Sequence, residues 1–182
     1  MELIINEHNL NVNDVQEFIT KVRAILIDGN NRILVANYGN VILLPGGKVD
    51  ENETNLTAIS RELSEELGQD YNSEELEFFT TLNFYQRNYP KRDGTFQNRL
   101  VRTHYFIALY KGIKIDKQKL TEKEQKSNFK LELVPLEDLE NIILNNKNNN
   151  PRNVYFQNEL LTILACYNDK KQNISIKKLG LR

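Results

Sequence analysis

The stretch Pro45-Gly46-Gly47-Lys48-Val49-Asp50-Glu51-Asn52-Glu53-Thr54-Asn55-Leu56-Thr57-Ala58-Ile59-Ser60-Arg61-Glu62-Leu63-Ser64-Glu65-Glu66-Leu67-Gly68-Gln69 decides the reading of this chain. Its first three residues stop the apolar run Val41–Leu44. Residues 54–67 then predict a helix, because Leu56, Ile59, Leu63 and Leu67 recur at i, i+3, i+7 and i+11 and Gly68 stands where a terminating glycine belongs. At about 100° per residue, Glu62, Glu65 and Glu66 fall within one sector of roughly 100°. The apolar stripe is centred about 110° away from it, so the helix can pack on a sheet while its acidic stripe faces a groove. Ala58 and Gln69 lie on the acidic side, where Ala58 leaves room.

Three carboxylates at i, i+3 and i+4 repel one another by a few tenths of a kcal/mol, roughly, per pair on an exposed helix. A hard divalent cation removes that penalty, and Mg²⁺ or Mn²⁺ prefers oxygen ligands shared between carboxylates and phosphate. The alternative is a solvated acidic helix face. Against it stands a complete spaced pattern. Gly47, Glu53, Arg61, Glu62, Leu63, Glu65, Glu66 and Gly68 resemble the Nudix box, a glycine, five residues, a glutamate, seven residues, then Arg-Glu-aliphatic-x-Glu-Glu-x-Gly-aliphatic. At average residue frequencies a chance match is on the order of 10⁻⁷. The final aliphatic position departs, being Gln69, which is expected to alter packing after the helix and not metal binding.

The resemblance implies a Nudix-type α/β/α sandwich, a mixed β-sheet flanked by helices in an α/β (α+β) chain, with the box as loop-helix-loop over 47–69. It implies Mg²⁺, with Mn²⁺ as a substitute, held by Glu65, Glu66 and the Gly47 carbonyl. Glu62 would be a further ligand or the base that activates water. Arg61 and Glu53 would form a buried ion pair bracing loop against helix. The implied activity is cleavage of a phosphoanhydride bond in a small nucleoside-diphosphate-linked substrate such as a dinucleoside polyphosphate, an ADP-sugar or a nucleoside triphosphate. Many members add a carboxylate from a later loop, for which Glu122 and Glu124 are the candidates.

Outward from the box, Val22–Ile27 and Arg32–Tyr38 predict a hairpin across Asp28-Gly29-Asn30-Asn31. Glu77–Gln86 and Leu100–Tyr110 read as strands joined by a long polar connection, Arg87–Asn98. Phe129–Val134 reads as a strand, Pro135–Leu144 as a helix opened by its proline, and 154–167 as a last amphipathic helix. Residues 1–16 read as an N-terminal extension with a short strand and turn, and the tail from Asp169 as basic and frayed. No internal repeat or long linker interrupts the chain, so 1–182 is expected to be one domain.

A net charge of −1 from 24 Lys+Arg and 25 Asp+Glu gives no global basic bias, hence no evident DNA partner and no support for an RNA substrate. One cysteine, Cys166 in an apolar run, excludes an internal disulfide and reads as a buried thiol. No signal peptide or membrane span is evident, and together these features predict a reducing cytoplasm. The oligomeric state stays open between a monomer and a homodimer built on the first sixteen residues or the last helix.

Substrate recognition belongs outside the box. Tyr85, Arg87, Lys91 and Arg92 in the polar connection, with Arg99 and Arg102 beside it, are the candidates for base stacking and phosphate contact. His104, mid-strand without an evident partner, reads as a packing or hydrogen-bonding residue. The rival functions are a catalytically silent nucleotide-binding module, which would be expected to lack box glutamates, and the isopentenyl diphosphate isomerase branch, which looks for an active-site cysteine.

Overall fold

Apolar residues at alternate positions of the long strands face two different layers, and this places the helices. A computed structural model of the chain describes residues 2–91, 93–147, 150 and 152–171. In order they form β1 (Glu2–Ile5), β2 (Glu17–Ile27), β3 (Arg32–Tyr38), β4 (Val41–Leu43), α1 (Asn55–Leu67), β5 (Glu77–Pro90), β6 (Phe96–Leu109), α2 (Glu122–Lys126), β7 (Lys130–Pro135), α3 (Leu139–Asn145) and α4 (Asn153–Lys170). The sheet order is β1-β5-β6-β2-β3-β4, and β7 pairs with β3. β1 runs parallel to β5 and β2 parallel to β6; the remaining pairs are antiparallel.

On β2, Val22, Ala24 and Leu26 pack with Ile59, Leu63 and Leu67 of α1. Ile25 and Ile27 point the other way, to Leu139 and Ile143 of α3 and Leu160 and Ile163 of α4. The period of two in the strand therefore yields a mixed sheet between helical layers, the α/β/α sandwich expected from the sequence. α1 starts where the Thr54 side chain accepts the Thr57 amide at 3.1 Å. It stops at Gly68, whose φ of 66° suits a residue without Cβ.

Several boundaries differ from the sequence reading. β5 and β6 run on to Pro90 and from Phe96, so the supposed loop Arg87–Asn98 is mostly strand with a register shift between Gln86 and Tyr89, and Lys91 and Thr95 close a short turn (N–O 2.8 Å). Pairing at this end of the sheet lies beyond the core, where polar side chains are tolerated, and polarity alone mimics a loop. Pro135 ends β7 and does not open a helix. Its missing N–H costs nothing at the end of a strand paired on one side only, and the helix begins at Leu139. Leu56, assigned to the packed stripe, is 39% exposed, and Ala58 is buried instead. Glu122 and Glu124 sit in a short helix, not a loop. α4 continues to Lys170, and the tail beyond 171 lies outside the described residues. β1 turns the N-terminal extension into an edge strand.

Candidate active site

The loop before α1 is pinned to β2. Ala24 N–H donates to Pro45 O (2.9 Å), Val22 N–H to Gly47 O (3.0 Å), and Val49 N–H to Thr20 O (3.1 Å). The Gly47 carbonyl thus keeps one lone pair. Close approach of backbone requires a glycine at 46, and at 47 the missing Cβ leaves room for a side chain of the helix. A Cβ on Gly46, whose φ is +126°, would lie 2.9 Å from Arg23 Cα. A Cβ on Gly47 would lie 2.5 Å from Glu62 Cδ. The loop and the acidic stripe therefore touch.

Arg61 ties the same parts together. Its Nε and Nη2 meet Glu53 Oε1 and Oε2, both at 2.9 Å, in a two-pronged pair. Nη2 also donates to Lys48 O at 3.1 Å, and Nη1 reaches Glu62 Oε1 at 2.9 Å and Glu65 Oε2 at 3.3 Å. The pair expected between Glu53 and Arg61 is present, but it is partly exposed and not buried, with Arg61 at 29%. Hydrogen bonding from Arg61 holds Glu53 below the ordinary carboxylate range.

Glu66 is the most enclosed of the three glutamates at 5% exposure, and Gly46 N–H donates to its Oε2 at 2.9 Å. Burial pushes its carboxyl up to about 8, against the opposing pull of that amide. Burial likewise raises Glu62, with Arg61 opposing. Acids held this far from their usual range mark a place where negative charge is under-compensated. In donor chemistry the set suits a hard divalent cation. In geometry, no three metal-binding side chains converge among the described residues, and the guanidinium of Arg61 lies between Glu62 and Glu65.

A cleft of about 250 Å³ opens on this corner. Glu66, Gly46 and Gly47 form one wall; Lys21 and Arg23 of β2 form the floor; Tyr38, Phe129 and Phe156 supply aromatic surface. Tyr38 and Phe129 meet edge to face at 6.3 Å. Glu124 also lines the cleft and adds to the negative potential at Glu62 and Glu66. Its Oε2 caps its own helix, accepting from Thr121 N at 2.6 Å. Glu122 points to solvent beside Lys126 at 3.1 Å. The geometry thus separates two residues that the sequence left equivalent.

The residues expected to contact substrate are not gathered here. Tyr85 and Arg102 line a separate cleft of about 380 Å³ with Phe18, Thr20 and Leu100, and Arg102 Nε donates to Asn83 Oδ1 at 2.9 Å. Arg99 faces the opposite side of the sheet, buried over the Tyr89 ring at 3.2 Å. Arg87 is exposed, Lys91 pairs with Asp93 at 3.5 Å, and Arg92 lies outside the described residues. His104 Nδ1 meets Thr81 Oγ1 at 2.9 Å, as suits a hydrogen-bonding residue. Gln69 donates to Lys111 O at 3.2 Å, a packing role after the helix, and Cys166 is buried in α4. Sequence reasoning missed Lys21, Arg23, Tyr38, Phe129 and Phe156, which β2, β3, α4 and the segment between α2 and β7 bring together. Only the Thr121-x-x-Glu124 capping pattern could have drawn attention to α2.

A family model described as NUDIX domain matches residues 18–157. No curated protein matches the sequence. Among solved structures, a bifunctional NMN adenylyltransferase/ADP ribose pyrophosphatase from Francisella tularensis is similar at 20% identity and a TM-score of 0.51, over 83% of this chain and 42% of that chain. A MutT NUDIX hydrolase from Burkholderia pseudomallei is similar at 18% identity and a TM-score of 0.48, over 79% of this chain and 98% of that one. The E. coli ORF135 protein is similar at 18% and 0.46, over 72% and 83% respectively.

Proposed function

The chain belongs to the Nudix hydrolase family, in general pyrophosphohydrolases of nucleoside diphosphate derivatives, and from that premise we propose that it cleaves a phosphoanhydride bond in a nucleoside-diphosphate-linked substrate with a divalent cation, Mg²⁺ or Mn²⁺, held at α1. The observation that carries this is the cleft, where the carboxylate of Glu66 and the Gly46-Gly47 turn face three aromatic rings across a basic floor. When bound, the cation neutralises the diphosphate and lowers the pKa of the attacking water. Glu65 and Glu66 would hold it, with the remaining lone pair of Gly47 O. Glu62 serves as a further ligand or accepts the proton from water. Glu124 is the added carboxylate. Arg61 and Glu53 fix the loop against the helix, as supports that orient ligands do elsewhere. The aromatic rings suit a nucleoside base. We place residues 1–182 in one domain that works in a reducing cytoplasm. No helix among the described residues is long and apolar enough to cross a membrane.

The deciding experiment is product release from dinucleoside polyphosphates, ADP-ribose, nucleotide sugars, NADH and nucleoside triphosphates with Mg²⁺, beside Glu65→Gln. Turnover of one member, lowered about 10²-fold or more in the variant, supports the reading and names the substrate class. Absence of turnover across the panel moves the conclusion to a silent binding module. Gly47→Ala tests the loop contact. Its Cβ meets only the end of a flexible side chain, Glu62, so the melting temperature should stay within about 3 °C while kcat falls about tenfold or more. Unchanged kcat in that variant would remove Glu62 from the reacting centre.

A further inference from the structure

The floor of the cleft sets two cations side by side. Lys21 and Arg23 project from the same face of β2 and line the cleft beside Glu66. The anion they share is Glu159 of α4, buried, with Oε1 3.5 Å from Arg23 Nε. That oxygen is already committed, accepting from Tyr105 O–H at 2.6 Å and Thr103 O–H at 3.4 Å. Burial works to raise the Glu159 carboxyl, but Arg23 and Lys21 outweigh it and hold it below the ordinary value. Arg23 Nη1 donates to Leu44 O, yet its buried Nε makes no hydrogen bond. Behind the floor the two cations thus share one carboxylate, Glu159, and on the cleft side the buried carboxylate of Glu66 also acts on Arg23. Burial pulls the Lys21 ammonium down to about 8, with Glu159 opposing. Lys48 and Lys123, the other cations of the cleft, are exposed and bear no such constraint.

Holding two enclosed cations side by side is costly, and a further anion at the mouth of the cleft lowers that cost. We propose that Lys21 and Arg23, held from behind by Glu159, form a phosphate-binding floor that receives substrate phosphate oxygens not engaged by the divalent cation; this rests on the hydrolase reading above. Glu159 acts as a positioning residue, keeping two mutually repelling side chains side by side. α4 contributes at two positions one turn apart, since Phe156 also lines the cleft and its ring centroid lies 6.0 Å from Lys21 Nζ. The aromatic surface and the basic floor are therefore contiguous, as a base and its phosphates are. Lys21, the less enclosed of the two, offers a mobile point charge, and Arg23 a fixed fork.

Inorganic pyrophosphate in EDTA tests the floor without any divalent cation. Wild-type protein is expected to bind it by calorimetric titration. Lys21→Met should weaken binding about tenfold or more, and Lys21→Arg should retain most of it. With saturating Mg²⁺ and a turned-over substrate, Lys21→Met should raise KM by more than it lowers kcat. No pyrophosphate binding by wild type, equal affinity in wild type and Lys21→Met, or an unchanged KM would each overturn the proposal. The two readings fail separately. Turnover with an unchanged KM removes the floor alone, and pyrophosphate binding that depends on Lys21 without turnover of any substrate removes the hydrolase reading alone.

Discussion

Glu66→Gln is expected to lower kcat about 10³-fold, equivalent to roughly 4 kcal/mol of transition-state stabilisation, while raising the melting temperature of the metal-free protein. The two effects have one cause. Glu66 is 5% exposed, and among the described residues its carboxylate accepts from Gly46 N–H. Its carboxyl titrates near 8 in the folded chain, against an ordinary value of 4.5. A group raised in the folded state supports folding fully at pH below its unfolded value and withdraws that support as pH rises through its folded value. The metal-free wild type should therefore lose stability between about pH 4.5 and 8, by on the order of 3–5 kcal/mol at most. A neutral amide keeps the Gly46 contact and has no charge to desolvate, so the variant should be flat across that window. Melting curves in EDTA should nearly coincide at pH 5 and separate by pH 8, with the variant higher. Saturating Mg²⁺ should reverse the order at pH 8, because a ligand that binds only the folded wild type stabilises it by mass action. A kcat within tenfold of wild type, or a variant that melts lower at pH 8 in EDTA, would remove Glu66 from the metal site.

Tension between stability and function was legible in the sequence only as spacing. Glu62, Glu65 and Glu66 share a sector by helical geometry, and the structure gives α1 the expected bounds within a residue. Which glutamate is buried was not legible, since that depends on β2 and the Pro45–Gly47 turn closing over one edge of the stripe. The ion pair of Arg61 with Glu53 followed from the resemblance, but its reach to Glu62, Glu65 and Lys48 O needed the fold. Strand ends were misjudged where the signal is polarity. Tyr89 and Pro90 pair with Gln97 and Phe96 past a register shift at the margin of the sheet, and there the core no longer dictates composition.

The substrate contacts were the least legible part, for a physical reason. Tyr85 and Arg102 were chosen because aromatics and arginines cluster locally in sequence, whereas the cleft is assembled from β2, β3, the segment after α2, and α4. Arg99 and Arg102 are three apart on one strand and so face opposite sides of the sheet. A cluster in sequence is a cluster in space only when period and side agree. Lys21 and Arg23 agree in both, two apart on β2, but nothing local distinguishes them from surface cations until Glu159 closes over them.

Arg61→Ala is expected to destabilise the protein by about 2 kcal/mol, below the roughly 3–5 kcal/mol of a fully buried pair, because Arg61 is 29% exposed and solvent screens part of the interaction. Two separable losses contribute. Glu53, 11% exposed in its side chain, is left without its partner. Glu62 and Glu65 lose the Nη1 that lies within 2.9 and 3.3 Å of them and face each other unshielded. A divalent cation at the proposed site would offset the second loss but not the first, since it would not replace the two-pronged contact with Glu53. Saturating Mg²⁺ should therefore recover part of the lost melting temperature, and the remainder should persist at every Mg²⁺ concentration. Arg61→Lys keeps one charge but not the two-pronged contact with Glu53, so it should fall between the two. Turnover should drop about 10–100-fold in Arg61→Ala, the range for residues that orient ligands. A melting temperature within about 1 °C of wild type in EDTA, or complete recovery in Mg²⁺, would show that Arg61 only shields charge and does not brace the loop. In that case Gly47 and Glu62 would be held in contact by the β2 pairing of the loop alone.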